Sequence, residues 1–221
     1  MNWKRWAAAA FTVFAIPAYA QSGDAKSGTA AREAERAAML LSFIHHANQH
    51  EIEMARIAKE KSDSPQVRAF ADRLIADHQA ADDRVVTFAK GRGVDLEAVR
   101  AQVRATAEAV QEERQTRAVG SASGEWAFTA EPNMDREAAQ MAMAEYASSL
   151  DKLRTLSPGA SFSREFVQAV IKDHQMVIAR ATHARSRITD PEVGGLVDSI
   201  LPMFKQHLTM AQNLQDRLSQ L

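Results

Sequence analysis

Cysteine is absent from this 221-residue chain, so no disulfide supports the fold and stability must come from a hydrophobic core. Glycine and proline are scarce, at 9 and 6 residues, and no segment sustains the period-two alternation of a strand. These features predict an all-α protein. Basic and acidic residues nearly balance, at 27 and 28, which gives no electrostatic footprint for nucleic acid.

Long apolar runs are also scarce: the run near the N-terminus is too short for a transmembrane helix, and no other stretch approaches the 18 residues expected of one. The first residues instead resemble a secretory signal, with Lys4 and Arg5 before an apolar run over 7–16 and the cleavage pattern Ala18-Tyr19-Ala20. We therefore predict a signal peptide over 1–20, cleavage after Ala20, and a periplasmic or secreted mature protein without a transmembrane span. An uncleaved N-terminal anchor is the alternative.

Helical periodicity organises the remaining chain into one predicted domain over 32–221, after a flexible leader at 21–31. Two cap-plus-proline sequences, Ser64-Pro65 and Asp190-Pro191, mark helix starts, and Pro202 predicts a kink inside the last helix. The four core helices are predicted over about 32–61, 65–90, 163–188 and 191–218.

The spacing of these helices predicts a ferritin-like antiparallel four-helix bundle with a long, partly helical insertion between helices two and three. This insertion covers about 95–156 and contains a charged helix, a break at Gly120–Gly124, an aromatic pair at Trp126 and Phe128, and a second helix. It is a candidate surface for a protein partner, and self-association into a homo-oligomer stays open.

Two nearly repeated segments place a histidine at the centre of an apolar stripe. Residues 70–79 and 166–175 share Phe-x-x-x-(Leu/Val)-Ile-x-Asp-His-Gln, which indicates two related halves of one bundle. On a helical wheel His78, His174 and His207 all fall within apolar faces, and His46, His50 and Glu53 lie at the edge of the first helix's stripe.

Inward imidazoles on facing helices predict a metal site, because imidazole and carboxylate together suit transition metals such as Zn, Cu or Fe. The candidate ligands are His78, His174 and His207, completed by Glu53 or His50. Asp77 and Asp173 are candidates for orienting a neighbouring histidine. Pairing of these aspartates at the bundle rim is the interpretation we favour.

Other interpretations of the histidines remain open. Each can hydrogen-bond within the core as a neutral side chain, or the group can sense acidification. A di-iron site is disfavoured because the glutamate expected three residues before each histidine is replaced by Ile75, Ile171 and Phe204. Covalent haem is excluded, and no catalytic motif is present. A non-enzymatic role in the envelope or stress physiology is therefore favoured, with a metal-dependent oxidoreductase as the alternative.

Several motifs together resemble the domain of unknown function 4142 family, whose members are exported bacterial proteins. The first half carries Ser-Pro-Gln-Val-Arg-Ala-Phe-Ala at 64–71 and Asp77-His78. The second carries Leu-Ser-Pro-Gly-Ala-Ser-Phe at 156–162, Asp-His-Gln at 173–175, and Leu201-Pro202 before His207. The resemblance implies a ferritin-like fold without a settled activity and maps the family's histidines onto His78, His174 and His207.

The resemblance also places a family glutamate at Glu53. The chain departs from the family at 163–166, where Ser-Arg-Glu-Phe replaces an Asp-aromatic pair, and in the length of the connection from about 96 to 146. His45, His46 and His50 are further features of this protein alone.

Overall fold

A computed structural model describes residues 25–105 and 134–220. The predicted signal peptide at 1–20, its cleavage after Ala20, and the Gly120–Gly124 and Trp126–Phe128 parts of the insertion lie outside these ranges. Within them every regular element is a helix, and there are six. They are α1 (Ala25–Lys61), α2 (Pro65–Gly91), α3 (beginning at 96 and described to 105), α4 (Met134–Thr155), α5 (Ala160–Arg185) and α6 (Pro191–Leu218).

The predicted capping residues start their helices as expected. The Ser64 hydroxyl accepts the Val67 amide, and the Asp190 carboxylate accepts those of Glu192 and Val193. Pro65 and Pro191 then occupy first-turn positions where no amide hydrogen is needed. α6 continues through Pro202, as predicted, and the kink at this residue stays a prediction.

Two helices, α1 and α5, begin earlier than the sequence predicts. α1 begins at Ala25 rather than 32, so most of the predicted flexible leader is helical. Alanine and lysine have high helix propensity and extend an already nucleated helix at little cost. α5 begins at Ala160, directly after Gly159, whose φ of 128° belongs to the region that favours glycine.

Neighbouring core helices run antiparallel. α1 and α2 form one hairpin and α5 and α6 the other, and further contacts join α1 to α5 and α2 to α6. The end of α1 meets the start of α5, where the Ser62 and Ser163 hydroxyls lie 2.7 Å apart. The end of α2 meets the start of α6, where Arg92 pairs with Asp190 and Glu192. The connection from α2 to α5 therefore crosses the bundle's length.

α4 forms part of this crossover and packs against α1 and α5. Lys61, at the end of α1, donates hydrogen bonds to the carbonyl oxygens of Leu153, Arg154 and Leu156 near the end of α4. The all-α fold and the crossover agree with the sequence prediction, and membership of the ferritin-like superfamily stays a prediction. None of the described helices is long and apolar enough to cross a membrane.

The hydrophobic core is divided into two clusters. One includes Leu41, Val85 and Phe204, and the other includes Met54, Leu74 and Phe166. Buried polar side chains separate the clusters at mid-height: Asn48 and Glu51 of α1, His78 of α2, Asp173 and His174 of α5, and His207 of α6. A polar layer in the middle of an apolar bundle is costly unless its groups are paired or bind a ligand.

Candidate metal centre in the bundle core

The three histidines predicted from the apolar stripes meet in this layer. His78, His174 and His207 are each 0% exposed, and one ring nitrogen from each lies within 4.8 Å of the other two. Their ring centroids are 5.0 to 5.5 Å apart. The three residues therefore share one height in the bundle, which the sequence could not establish.

Hydrogen bonds to acceptor-only atoms determine which nitrogen of two rings carries a proton. His174 Nδ1 lies 3.0 Å from the Val170 carbonyl oxygen and donates to it. His207 Nε2 lies 2.9 Å from a carboxylate oxygen of Asp77 and also donates. In the neutral rings the other nitrogens, His174 Nε2 and His207 Nδ1, keep their lone pairs. His174 Nε2 is buried and has no hydrogen-bond partner among the described residues.

The third ring depends on the amide of Asn48. With Asn48 Oδ1 2.9 Å from His78 Nδ1, that nitrogen donates, and the His78 Nε2 lone pair faces His207 Nδ1 at 3.2 Å. A cation between the two nitrogens would stabilise this arrangement. A half-turn of the Asn48 amide reverses it, so that His78 Nε2 donates to His207 instead. The layer thus has one form in which His78 and His207 are hydrogen-bonded and one form in which both of these nitrogens keep their lone pairs.

A buried carboxylate that sequence reasoning missed lies beside the histidines. Glu51 is 1% exposed, and neither of its oxygens has a hydrogen-bond partner within the described part of the chain. One oxygen lies 3.1 Å from His174 Nδ1, but the hydrogen of that nitrogen points to Val170. A negative charge in this position needs a positive one nearby.

The two other predicted ligands lie elsewhere. Glu53 is partly exposed at the surface and pairs with Arg154 at 3.2 Å, so the structure does not bring it to the three histidines. The physical reason is helix geometry, because two residues along α1 turn a side chain by about 200° away from Glu51. The sequence did contain the signal, since Glu51 lies four residues after Ala47 and three before Met54 in the apolar stripe.

His50 is buried beside the cluster rather than in it. Its Nε2 lies 3.0 Å from a carboxylate oxygen of Asp173 and 3.1 Å from the Ser149 hydroxyl. Its ring stacks on Tyr146 of α4, with centroids 4.3 Å apart. Because Asp173 already binds its Nε2 atom, His50 supports the polar layer from the side of α4.

The repeated Asp-His pairs act across the bundle. Asp77 binds His207 rather than its neighbour His78, and Asp173 binds His50 rather than His174. The expectation that both aspartates lie at the rim is wrong for Asp173, which is 2% exposed. Asp77 is partly exposed, pairs with Arg73 and His207, and has a pKa below its usual value because these hydrogen bonds outweigh its partial burial. Both aspartates therefore orient histidines of other helices.

Burial favours the neutral form of three histidines, His46, His78 and His207. Loss of hydration, followed by the nearby His174, His207 and His50, lowers the pKa of His78 well below its ordinary value. Burial also lowers the pKa of His207, although Asp77 opposes this shift. Burial likewise lowers the pKa of His46, whereas a hydrogen bond to Asp82 raises that of His45. Neutral imidazoles are the form that binds metal.

These shifts predict that the metal-free protein is destabilised by mild acid. A lowered pKa in the folded state contributes stability above the unfolded value of about 6.5, and that stability is lost as the pH falls toward the folded pKa. The raised pKa of His45 has the opposite effect on stability, but it is outnumbered by three histidines whose pKa is lowered: His46, His78 and His207. In urea titrations with EDTA, the unfolding free energy should fall between pH 7.5 and 5.5, with a slope near 1.4 kcal/mol per pH unit for each histidine protonated only on unfolding.

The control for this prediction is His78→Leu, which removes the most strongly shifted of these groups. Its stability profile over the same pH range should be flatter than that of the wild type. A wild-type profile that is flat, or that rises with acid, would contradict the assignment of neutral buried rings.

The fold and its polar layer define a class of protein, an all-α bundle with a histidine-rich centre. A sequence profile described as "Domain of unknown function (DUF4142)" matches residues 22–118 and 98–214. The chain belongs to this family, as its motifs predicted. No curated protein matches the sequence.

Two solved structures are similar. The crystal structure of a DUF305 fragment from Deinococcus radiodurans is 20% identical, with a TM-score of 0.50, covering 81% of this chain and 96% of that one. A structure described as CopM in the Cu(II)-bound form is 18% identical, with a TM-score of 0.49, covering 83% and 96%. At this identity the first likeness shows the helical fold alone.

Proposed function

We propose that this protein binds one transition-metal ion at the centre of its bundle, through His78, His174 and His207. The observation that carries the proposal is the convergence of three fully buried imidazole rings, with one nitrogen from each within 4.8 Å of the other two. The 3.2 Å between His78 Nε2 and His207 Nδ1 is close to the roughly 3.3 Å between two nitrogens on a tetrahedral zinc ion. Zn, Cu and Fe suit an all-imidazole set.

Charge supports the same proposal. Three neutral imidazoles bring no negative charge to a divalent ion, whereas the carboxylate of Glu51, which has no hydrogen-bond partner among the described residues, lies in the same layer. Asp77 and Asn48 hold two of the rings by their second nitrogens, which is how metal-binding histidines are oriented in proteins.

The surroundings favour binding rather than catalysis. Phe204 packs against His78 and His174 at centroid distances of 5.1 and 5.4 Å, in the position where a di-iron site would place a carboxylate. Apolar clusters close the layer above and below, and all three rings are 0% exposed. Three histidine ligands leave a fourth coordination position on the ion, but burial of the layer keeps substrates away from it. We therefore propose that the protein's function is to hold the metal ion rather than to use it in catalysis.

Binding stoichiometry tests the proposal directly. Protein purified without a His tag and stripped with EDTA should bind one equivalent of Zn²⁺ or Co²⁺ that His174→Ala does not bind. Bound Co²⁺ should give visible absorption, and the part of this absorption that comes from the core site should be missing in the variant. His183→Ala removes an exposed histidine from the same helix and should bind like the wild type. Equal binding by wild type and His174→Ala would contradict the proposal.

We further propose that the protein works after export, because Lys4, Arg5 and the apolar run before Ala20 have the pattern of a cleaved signal. The mature N-terminus should then be Gln21. N-terminal sequencing of protein from a periplasmic extract measures this directly, and an intact N-terminus in the membrane fraction would favour the uncleaved anchor.

A further inference from the structure

A second group of histidines lies where α1, α2 and α3 meet, outside the core layer. It consists of His45 and His46 of α1 and Glu97 of α3, and one ligand atom from each lies within 4.8 Å of the other two. His46 is 7% exposed, His45 is partly buried, and the Glu97 side chain is exposed. This group, which we call the surface cluster, is open to solvent on the side of Glu97.

Two sets of hydrogen bonds hold the start of α3, which carries Glu97. Asp95 caps α3 by accepting the amides of Glu97 and Ala98. The Ser42 hydroxyl donates to the Leu96 carbonyl at 2.9 Å, which fixes the start of α3 against α1. Glu97 therefore projects toward the two histidines from a capped and anchored helical turn.

Hydrogen bonds turn the outer nitrogens of both rings toward Glu97. His45 Nδ1 donates to Asp82 at 2.7 Å, and His46 Nδ1 donates to the Ser42 carbonyl at 2.7 Å. The Nε2 atoms of His45 and His46 each lie 3.4 Å from the same Glu97 oxygen. His46 Nε2 is buried and has no hydrogen-bond partner among the residues described. Two lone pairs facing one carboxylate oxygen repel unless a proton or a metal cation lies among them.

We propose that His45, His46 and Glu97 form a second, solvent-accessible site for a divalent transition-metal ion. Two imidazoles and one carboxylate provide three ligands, and the exposed side leaves room for water. Asp82 accepts from His45 Nδ1 and so completes a carboxylate–histidine–metal arrangement. Asp82 also accepts from the Gln49 amide, which fixes its orientation. Zn²⁺, Co²⁺ and Cu²⁺ suit this mixed nitrogen and oxygen set.

Arg100 opposes metal binding at the surface cluster and thereby provides a test. Its Nη1 lies 3.8 Å from the Glu97 oxygen that does not face the histidines. The guanidinium competes with a metal ion for this carboxylate and adds positive charge near His46. Arg100→Gln should therefore strengthen binding, a gain that misfolding cannot imitate.

The core site and the surface cluster lie close together but share no ligand. His46 precedes Glu51 by five residues on α1, which is about 7.5 Å of helix rise. They differ in access, because the core histidines are fully buried whereas Glu97 is exposed. The surface site should therefore release its ion to a chelator faster than the core site.

Calorimetric titration with Zn²⁺ of six full-length proteins tests this inference. Wild type should bind two ions, His174→Ala one, Glu97→Gln one, and the double variant none. His46→Ala should match Glu97→Gln, and Arg100→Gln in the His174→Ala background should bind its remaining ion more tightly. If the double variant keeps the ion of His174→Ala, or if His174→Ala binds none, the surface site is refuted. If wild type binds a single ion that Glu97→Gln loses and His174→Ala keeps, the core proposal fails and the surface site stands.

Discussion

Zinc is expected to stabilise this protein against unfolding by about 4 kcal/mol when the free ion is at roughly a thousand times its Kd. For a domain of this size the melting temperature should rise by roughly 8–16 °C. The physical reason is linkage, because His78, His174 and His207 converge only in the folded chain. Thermal melts with EDTA and with increasing Zn²⁺ measure the effect, in protein carrying Glu97→Gln so that the surface cluster does not contribute.

Adding His174→Ala to the Glu97→Gln protein should abolish the rise in melting temperature with zinc, and adding His183→Ala should preserve it. Because each variant is compared with and without metal, any change in intrinsic stability cancels. A zinc response of equal size in both variants would mean that the ion binds elsewhere, and no response in either would remove the core site altogether.

Glu51→Gln is expected to shift stability and metal affinity in opposite directions. The metal-free protein should become more stable by about 1–3 kcal/mol, since the substitution removes a buried charge whose oxygens have no hydrogen-bond partner in the described structure. The affinity of the core for Zn²⁺ should fall by roughly 10- to 100-fold, since the ion loses its nearby negative charge. Urea unfolding and competitive zinc titration measure the two effects.

Glu53→Gln is the matched control, because it makes the same chemical change two residues away on α1. Glu53 pairs with Arg154 at the surface, and such pairs contribute little. Its unfolding free energy should stay within about 0.5 kcal/mol of wild type, with unchanged zinc affinity. If Glu53→Gln changed the zinc affinity as much as Glu51→Gln does, Glu53 would again be the favoured ligand, as the sequence predicts.

The sequence was informative wherever one residue's own chemistry decides the outcome. Ser64 and Asp190 each bind amides two or three residues away, so a local pattern predicts the helix start. The inward direction of His78, His174 and His207 likewise follows from helical periodicity within single helices. The same periodicity places Glu51 in the apolar stripe of α1 and Glu53 outside it.

The relative positions of the helices could not be predicted in this way, because they do not follow from the chemistry of single residues. Whether three inward histidines share a height depends on how far each helix slides along its neighbours, and apolar stripes permit several offsets. The partners of Asp77 and Asp173 lie on other helices, so adjacency to His78 and His174 in the sequence was misleading. The surface cluster depends on where α3 docks, which Ser42 and Leu96 establish across 54 positions of chain.

By itself, the sequence determined the family, the helical class, the main helix ends, and the inward direction of the three core histidines. These depend on periodicity, capping and composition, which act over a few residues. Only the tertiary structure decided that the histidines meet, that Glu51 rather than Glu53 joins them, and that His45 and His46 face Glu97. Those results depend on the relative positions of packed helices, which side-chain packing along their full lengths selects.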